Sequence, residues 1–347
     1  MSSARGYAAP KANAPLTPFT FARREPGDSD IRIEISHCGI CHSDIHQARD
    51  EWGGAVFPMV PGHEIVGRVT HVGRRASKFK VGETAGVGCL VDTCRSCENC
   101  GRGLEQHCLK HPSFTYNGTE QDGKTPTYGG YSDSIVVDED YALKVAAGLP
   151  PERVAPLLCA GITTYSPLKR WGAGKGKRVG VLGLGGLGHM AVKIAAAMGA
   201  EVTVLSGSAS KKPDASRLGA ADFVLTSDAA ALKKTTGRLD LVVDTVSAAH
   251  DVNSVLGLLK TEGTMVMVGA SPAPLAVATF PLIVGRRNLA GSLIGGIAET
   301  QEMLDFCAKE KVLSDVEVVA AKEVNTAYER MLKGDVRYRF VIDLKTL

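Results

Sequence analysis

The feature that most restricts the fold of this chain is a glycine loop set between a strand and a helix, Gly183-Leu184-Gly185-Gly186-Leu187-Gly188. Residues 178–182 (RVGVL) before it are short and apolar, and the stretch 187–198 after it is helix-compatible. Further buried-type strands are predicted at 201–205, 222–225, 240–243 and 264–268, about 20 to 25 residues apart across helical intervals, with a sixth at 288–294. Strands that alternate with helices in this way imply right-handed crossovers and a parallel sheet. In that setting the loop reads as G-x-G-x-x-G. The glycines allow a tight turn and bring the backbone close to a pyrophosphate, which rests on the helix N-terminus where free N–H groups and the helix dipole favour negative charge.

The end of the second strand of this array selects the dinucleotide. A site for an unphosphorylated ribose usually carries Asp or Glu there. This chain instead has Ser206, Gly207 and Ser208, followed by Lys211 and Lys212. Hydroxyl and ammonium groups receive a 2′-phosphate through charge-assisted hydrogen bonds, whereas an acid would repel it. NADP(H) is therefore the expected cofactor, read by Ser206, Ser208 and Lys211.

The remainder of the 347 residues is too long to belong to the same core, so two domains are expected. Residues 31–37 alternate apolar with polar and 65–72 are β-branched, so both read as strands. The pattern changes after Pro150-Pro151, and the tail closes with a helix at 300–309 and a strand at 339–344. A net charge of +3, with no basic run beyond a Lys pair, gives no footing for nucleic acid or a membrane surface. No run of about 18 apolar residues occurs and residues 1–19 lack a signal-type core, so the expected location is the cytoplasm. Nine cysteines, an odd number, then fit reduced thiols and metal ligation better than a disulfide framework.

Four of those cysteines, Cys94, Cys97, Cys100 and Cys108, are spaced C-x2-C-x2-C-x7-C. A closed all-sulfur shell makes a structural zinc site. The rival, an iron–sulfur cluster, would place its last cysteine after three residues and follow it with proline; here seven residues intervene and Leu109 follows. A second group is dispersed: Cys41, His63 with its neighbour Glu64, and Cys159. Spacing alone does not join these residues.

Three segments carry a family resemblance: Cys38-Gly-Ile-Cys-His-Ser-Asp44, Pro61-Gly-His-Glu-Ile-Val-Gly67 and Gly183-Leu-Gly-Gly-Leu-Gly-His189. Nearly end to end, the chain resembles the zinc-dependent medium-chain alcohol dehydrogenases, most closely the cinnamyl alcohol dehydrogenase branch. The resemblance implies an α/β molecule with a mostly β, GroES-like catalytic domain (1–152 and 292–347) interrupted by a Rossmann domain (153–291), and an active site in the cleft between them. It implies two zinc ions per chain: a catalytic one on Cys41, His63 and Cys159, with Glu64 able to join or leave, and a structural one on the cysteine knot. It adds Thr163, Val268 and Ser292 to the dinucleotide contacts and places His42 near the pyrophosphate. Zinc is expected to polarise the carbonyl, NADPH to supply hydride, and the proton to pass through His46, a ribose hydroxyl and Ser43, with Asp44 accepting the ring N–H of His63. Where many plant members carry a pocket tryptophan this chain has Pro112-Ser113-Phe114, which argues against a narrow monolignol preference and for a wide range of aldehydes. Trp52, Cys89 and Phe114 are the candidate pocket walls. By the same analogy two copies pair through the sheet edge near 289–294. The rival readings are a zinc-stabilised, non-catalytic nucleotide-binding protein and a secondary-alcohol or polyol dehydrogenase on the same scaffold. A zinc-free quinone reductase would lack both ligand sets.

Overall fold

The structure, a computed structural model, describes residues 2–271 and 273–347. The chain forms two compact units, Met1–Cys159 with Gly295–Leu347 and Ala160–Ile294.

In the first unit, β1 (Asp30–Gly39) buries Ile31, Ile33 and Ile35 at alternate positions, the period-2 pattern of a strand with one face in the core. It pairs antiparallel with β2 (Ile65–Val72), which pairs with β3 (Thr84–Val87). The other edge of β1 is shared: β4 (Ser134–Asp138) runs along Asp30–Glu34, and β5 (Leu143–Lys144) extends the sheet beyond β3. Just after β1 the chain enters helix α1 (His42–Ala48), whose third residue, Asp44, reaches back to the Cys41 N–H at 2.8 Å. That is one half of a capping box, and it satisfies a donor the helix itself cannot.

The second unit opens with α2 (Ala160–Arg170) and then alternates as anticipated: β6 (Arg178–Leu182), α3 (Gly188–Ala197), β7 (Glu201–Ser206), β8 (Asp222–Leu225), β9 (Leu239–Asp244), β10 (Leu259–Met267) and β11 (Asn288–Gly291). All pairs are parallel and the order is β8-β7-β6-β9-β10-β11, the doubly wound arrangement in which strand order reverses beside the first strand. Buried Leu182, Leu205, Val242, Leu256 and Met265 share its core. The last strand is shorter than the predicted 288–294. It ends at Gly291, and by Ile294, with φ +35, the backbone has left extended geometry.

The tail returns to the first unit through α4 (Ile297–Lys309), β12 (Val316–Ala320), α5 (Val324–Leu332) and β13 (Arg339–Asp343). β13 lies antiparallel to the C-terminal end of β1, with Val341 opposite Gly39 and Asp343 opposite His37. The units part at 159/160 and 294/295, later than the expected 152/153 and 291/292. Residues 155–158 cause the first difference, because buried Leu158 lies against Gly86 and Gly88 of the first unit and carries Cys159 with it. Among the described residues no helix is long and apolar enough to cross a membrane.

Candidate metal centre and nucleotide loop

Four side chains from three separate stretches of sequence converge in the first unit. Donor atoms of Cys41, His63, Glu64 and Cys159 all lie within 4.8 Å of one another, and all four residues are buried. The Cys41 and Cys159 sulfurs are 3.9 Å apart. A disulfide needs about 2.05 Å, whereas two corners of a zinc tetrahedron with 2.3 Å bonds are about 3.8 Å apart. The contact with Cys159 holds the Cys41 thiol well below its ordinary value, while the contacts with Cys41 and Cys89, together with burial, push Cys159 well above its own.

His63 is fixed by its surroundings. Its Nδ1 faces Asp44 Oδ1 at 3.2 Å, and its ring stacks on Tyr116 at 5.7 Å between centroids. Burial disfavours the imidazolium, but the Cys89 and Asp44 charges outweigh it and raise His63 well above its ordinary range. With Nδ1 engaged by a carboxylate, Nε2 is the nitrogen left for a metal, the arrangement by which a carboxylate sets a ligand's tautomer and direction.

Glu64 is fully buried, and its Oε1 accepts a short hydrogen bond from Arg339 of β13, itself 2% exposed. Oε2 has no hydrogen-bond partner among the described residues. An orphaned buried oxygen beside three other donors is the mark expected of a metal set. A side chain at Gly39 would meet that oxygen at 1.9 Å, so the glycine keeps its space open. Burial lifts the Glu64 carboxyl up to about 7 even against the Arg339 charge.

The second donor set is Cys94, Cys97, Cys100 and Cys108, again within 4.8 Å. Cys97 and Cys94 stand 3.4 and 3.9 Å from Cys100, distances too long for disulfides and compatible with one tetrahedral ion. Leu109 donates its N–H to Cys97 Sγ at 3.4 Å, and the Thr93 hydroxyl lies 3.3 Å from Cys100 Sγ. Arg95, inside the knot, pairs with Asp92, Asp138 and Asp140 and stacks on Tyr141, tying the lobe to the end of β4. Both donor sets therefore fit the zinc ions anticipated from the sequence.

In the second unit the glycine loop shows the division of labour that a dinucleotide requires. Gly183 has φ +88, and a side chain there would strike Thr245 and Val246. A Cβ at Gly188 would lie 2.1 Å from the Gly183 carbonyl, so its absence lets α3 pack on the loop. Gly185 is exposed with no atom within 4 Å of its missing Cβ, the open approach that a pyrophosphate needs. Leu184 is buried beneath it, while Gly186 and Leu187 are half-buried. Ser206 closes β7 and accepts the Ser208 N–H at 3.2 Å; Ser208 is exposed, and Lys211 follows on a short helical turn. Val268 and Ser292 directly follow β10 and β11, and Thr163 lies in the first turn of α2. Val268 and Ser292 thus share the carboxyl edge of the sheet, where ligands of open α/β sheets bind.

Of the remaining expected residues, His42, Ser43 and His46 lie on α1, Trp52 follows it, and Phe114 pairs with Leu90, the neighbour of Cys89 in sequence. Cys41 Sγ and Ser43 Oγ are 3.6 Å apart. His46 pairs through Nδ1 with Glu51 and stacks on Trp52 at 4.9 Å, while its Nε2 is buried without a partner among the described residues. Burial holds the His42 ring below its ordinary pKa. Trp52 and Phe114 are 43% and 40% exposed, so neither is plain core. The hydrogen bond with Cys159 lowers the Cys89 thiol, which places Cys89 beside the tetrad rather than in it.

Arg339, Tyr116 and Tyr131 had no signal in the sequence. Arg339 lies 275 residues from its partner Glu64. Only the pairing of β13 with β1 brings them together.

Residues 27–147 match the family model of the alcohol dehydrogenase GroES-like domain, and residues 186–309 match that of zinc-binding dehydrogenase. The chain is 55% identical over 348 residues to NADP-dependent alcohol dehydrogenase C 1 of Mycolicibacterium smegmatis, across 100% of this chain and 99% of that one. It is 56% identical over 331 residues to a mannitol dehydrogenase of Petroselinum crispum, across 95% and 98%. Among solved structures it is similar to a cinnamyl alcohol dehydrogenase of Sorghum bicolor, with a TM-score of 0.96, 48% identity and coverage of 99% and 98%.

Proposed function

Because the chain belongs to the zinc-dependent alcohol dehydrogenase family, we propose that it interconverts aldehydes and primary alcohols with NADP(H), using a catalytic zinc on Cys41, His63, Glu64 and Cys159 and a structural zinc on the cysteine knot. The observation that carries this reading is the buried donor tetrad, assembled from three separate stretches of chain. When bound, a zinc ion supplies Lewis acidity toward a carbonyl oxygen and NADPH supplies the hydride, so that aldehyde, NADPH and a proton give alcohol and NADP+.

The protein's own groups do the rest. Asp44 keeps His63 protonated at Nδ1 and directs Nε2 to the metal. Arg339 holds one Glu64 oxygen while the other stays available. Ser43, two residues from ligand Cys41 and 3.6 Å from its sulfur, would hand the proton to the substrate oxygen, and His46 on the same short helix would bring it from solvent. Trp52, Phe114 and Cys89 supply pocket walls that accept apolar aldehydes, aromatic or aliphatic. The glycine loop cradles the pyrophosphate, His42 contributes to holding it, and Thr163, Val268 and Ser292 line the dinucleotide.

Ser206, Ser208 and Lys211 read the 2′-phosphate. Ser206→Asp is therefore expected to weaken NADPH by at least about tenfold, through loss of charge-assisted bonds and gain of repulsion, while sparing NADH. Steady-state ratios of kcat/KM for the two cofactors check this, and unaltered selectivity would place the phosphate elsewhere.

The edge of the parallel sheet supports assembly as a homodimer. Edge strand β11 exposes Leu289, with Leu293 just past its end, and the helix that leads into it exposes Phe280, Ile283 and Val284 at about 70% each. Such a cluster on a sheet edge suits a second copy of the chain. A homodimer is expected in sedimentation, and the mass of a single chain at micromolar concentration would remove it. None of the nine cysteines is in a disulfide among the described residues, which suits a reducing compartment such as the cytosol.

The function is tested by metal analysis together with a panel of primary alcohols, secondary alcohols, polyols and aldehydes. Two zinc ions per chain and the fastest turnover on aldehydes with NADPH are expected. Zinc without turnover on any substrate would favour a nucleotide-binding protein, and preference for polyols would move the reading to a polyol dehydrogenase.

A further inference from the structure

The carboxylate behind His63 is itself held from behind. Asp44 is 0% exposed and accepts four hydrogens: the Cys41 N–H at 2.8 Å, the Gly62 N–H at 3.1 Å, the Tyr131 hydroxyl at 3.0 Å and the His63 Nδ1–H at 3.2 Å. Four donors are enough to fill the lone-pair sites of a carboxylate, and the Tyr116 hydroxyl is a further neighbour of the same group. Behind Tyr131, the Tyr328 hydroxyl of α5 donates to its oxygen at 3.5 Å, with the two rings edge to face at 6.4 Å. The chain Tyr328, Tyr131, Asp44, His63 is thus continuous and buried.

Tyr131 is locked in place. Its N–H bonds the Pro61 carbonyl at 3.0 Å, and its ring occupies the space where a Gly62 side chain would stand, 2.6 Å from the missing Cβ. Gly62, at φ +106, is the residue before His63. Ligand and tyrosine are therefore positioned by the same turn. Burial, then the Asp44 charge, push both phenols well above their ordinary range, so both hydroxyls stay donors.

We propose that Tyr131, supported by Tyr328, is a positioning residue that limits how strongly Asp44 pulls on His63, and thereby how tightly the donor tetrad grips its metal. The inference rests on the tetrad holding zinc, as proposed above. A carboxylate whose charge is shared among four donors gives less to each. Without the Tyr131 hydroxyl, the hydrogen bond to His63 strengthens, Nε2 becomes a better donor to the metal, and the bound ion becomes less electrophilic. The hydroxyl keeps the ion exchangeable in its grip and sharp in its chemistry.

The test follows zinc release from the full-length, zinc-loaded protein to a chromogenic chelator. The unaltered chain should lose two zinc ions in two phases, and Cys41→Ala should lack the phase that belongs to the tetrad. Tyr131→Phe keeps the ring and is expected to slow that phase by about threefold, with the other phase unchanged. Tyr328→Phe should shift it the same way by less, and Asp44→Asn should speed it by about tenfold or more. Aldehyde kcat should fall in Tyr131→Phe with KM for NADPH unchanged. A role in packing alone predicts unchanged release, and a scaffold whose loss loosens His63 predicts faster release; either result in Tyr131→Phe overturns the proposal. If that variant does not fold, the sign of the shift in Tyr328→Phe decides in the same way. One zinc per unaltered chain, by contrast, would remove the catalytic metal itself and this inference with it.

Discussion

Cys41→Ala and His63→Ala are each expected to lower aldehyde turnover by roughly a thousandfold or more while leaving dinucleotide affinity within about twofold. A Lewis acid is worth several kcal/mol of transition-state stabilisation, and each 1.36 kcal/mol is a factor of ten. Removing one sulfur or the imidazole takes away one of three N/S ligands and leaves, beside the other two, only Glu64, a carboxylate already engaged by Arg339, so the hold on the ion weakens. The glycine loop, Ser206 and Lys211 all belong to the other unit and keep their conformations. Metal analysis should find one zinc per chain in place of two, and titration of protein fluorescence with NADPH should give an unchanged Kd. Turnover that survives either substitution would take that residue off the metal.

Arg339→Ala should destabilise the folded chain by about 3–5 kcal/mol, the range for removing one partner of a buried ion pair. Glu64 is 0% exposed and Arg339 is 2% exposed, so neither has water to fall back on. The loss should appear as a lower urea midpoint at fixed zinc concentration. Adding Glu64→Gln to the Arg339→Ala chain should restore part of the loss, since the stranded charge is then gone, and the double-mutant cycle isolates the pair. A midpoint that Arg339→Ala leaves in place would mean that Glu64 is neutral or otherwise compensated in the fold. The substitution also probes function, because Arg339 holds the carboxylate of Glu64, one of the four converging donors.

How much of this could be read from residues alone differs from element to element. β2 at Ile65–Val72 and β6 at Arg178–Leu182 occur where the alternation and the apolar run placed them, since a strand's side-chain pattern is local. The parallel sheet was legible too, because strand–helix alternation leaves the chain few other ways to cover its apolar faces. β10 is longer than its predicted segment: residues 259–263 include charged Lys260 and Glu262, which carry no strand signal, yet Leu259 pairs with Leu239 of β9. The knot of Cys94, Cys97, Cys100 and Cys108 was visible for the same local reason, with four ligands inside fifteen residues.

Near the tetrad, locality fails. The Cys41-to-Asp44 segment and the Gly62-His63-Glu64 turn could be singled out, and a resemblance could join them to Cys159, but no spacing rule states that a sulfur 118 residues from Cys41 ends 3.9 Å from it. Nor could any pattern assign Arg339 to Glu64, or Tyr131 and Tyr328 to Asp44.

The sequence by itself determined the βα array, the glycine loop, the serines that end β7 and the closed cysteine knot, because each depends on contacts between near neighbours along the chain. The tertiary structure alone decided which buried charges face each other behind the metal ligands. That choice is made when β13 pairs with β1 and when α5 brings Tyr328 to Tyr131, long-range contacts whose closure depends on the packing of the whole first unit rather than on any segment's own preference.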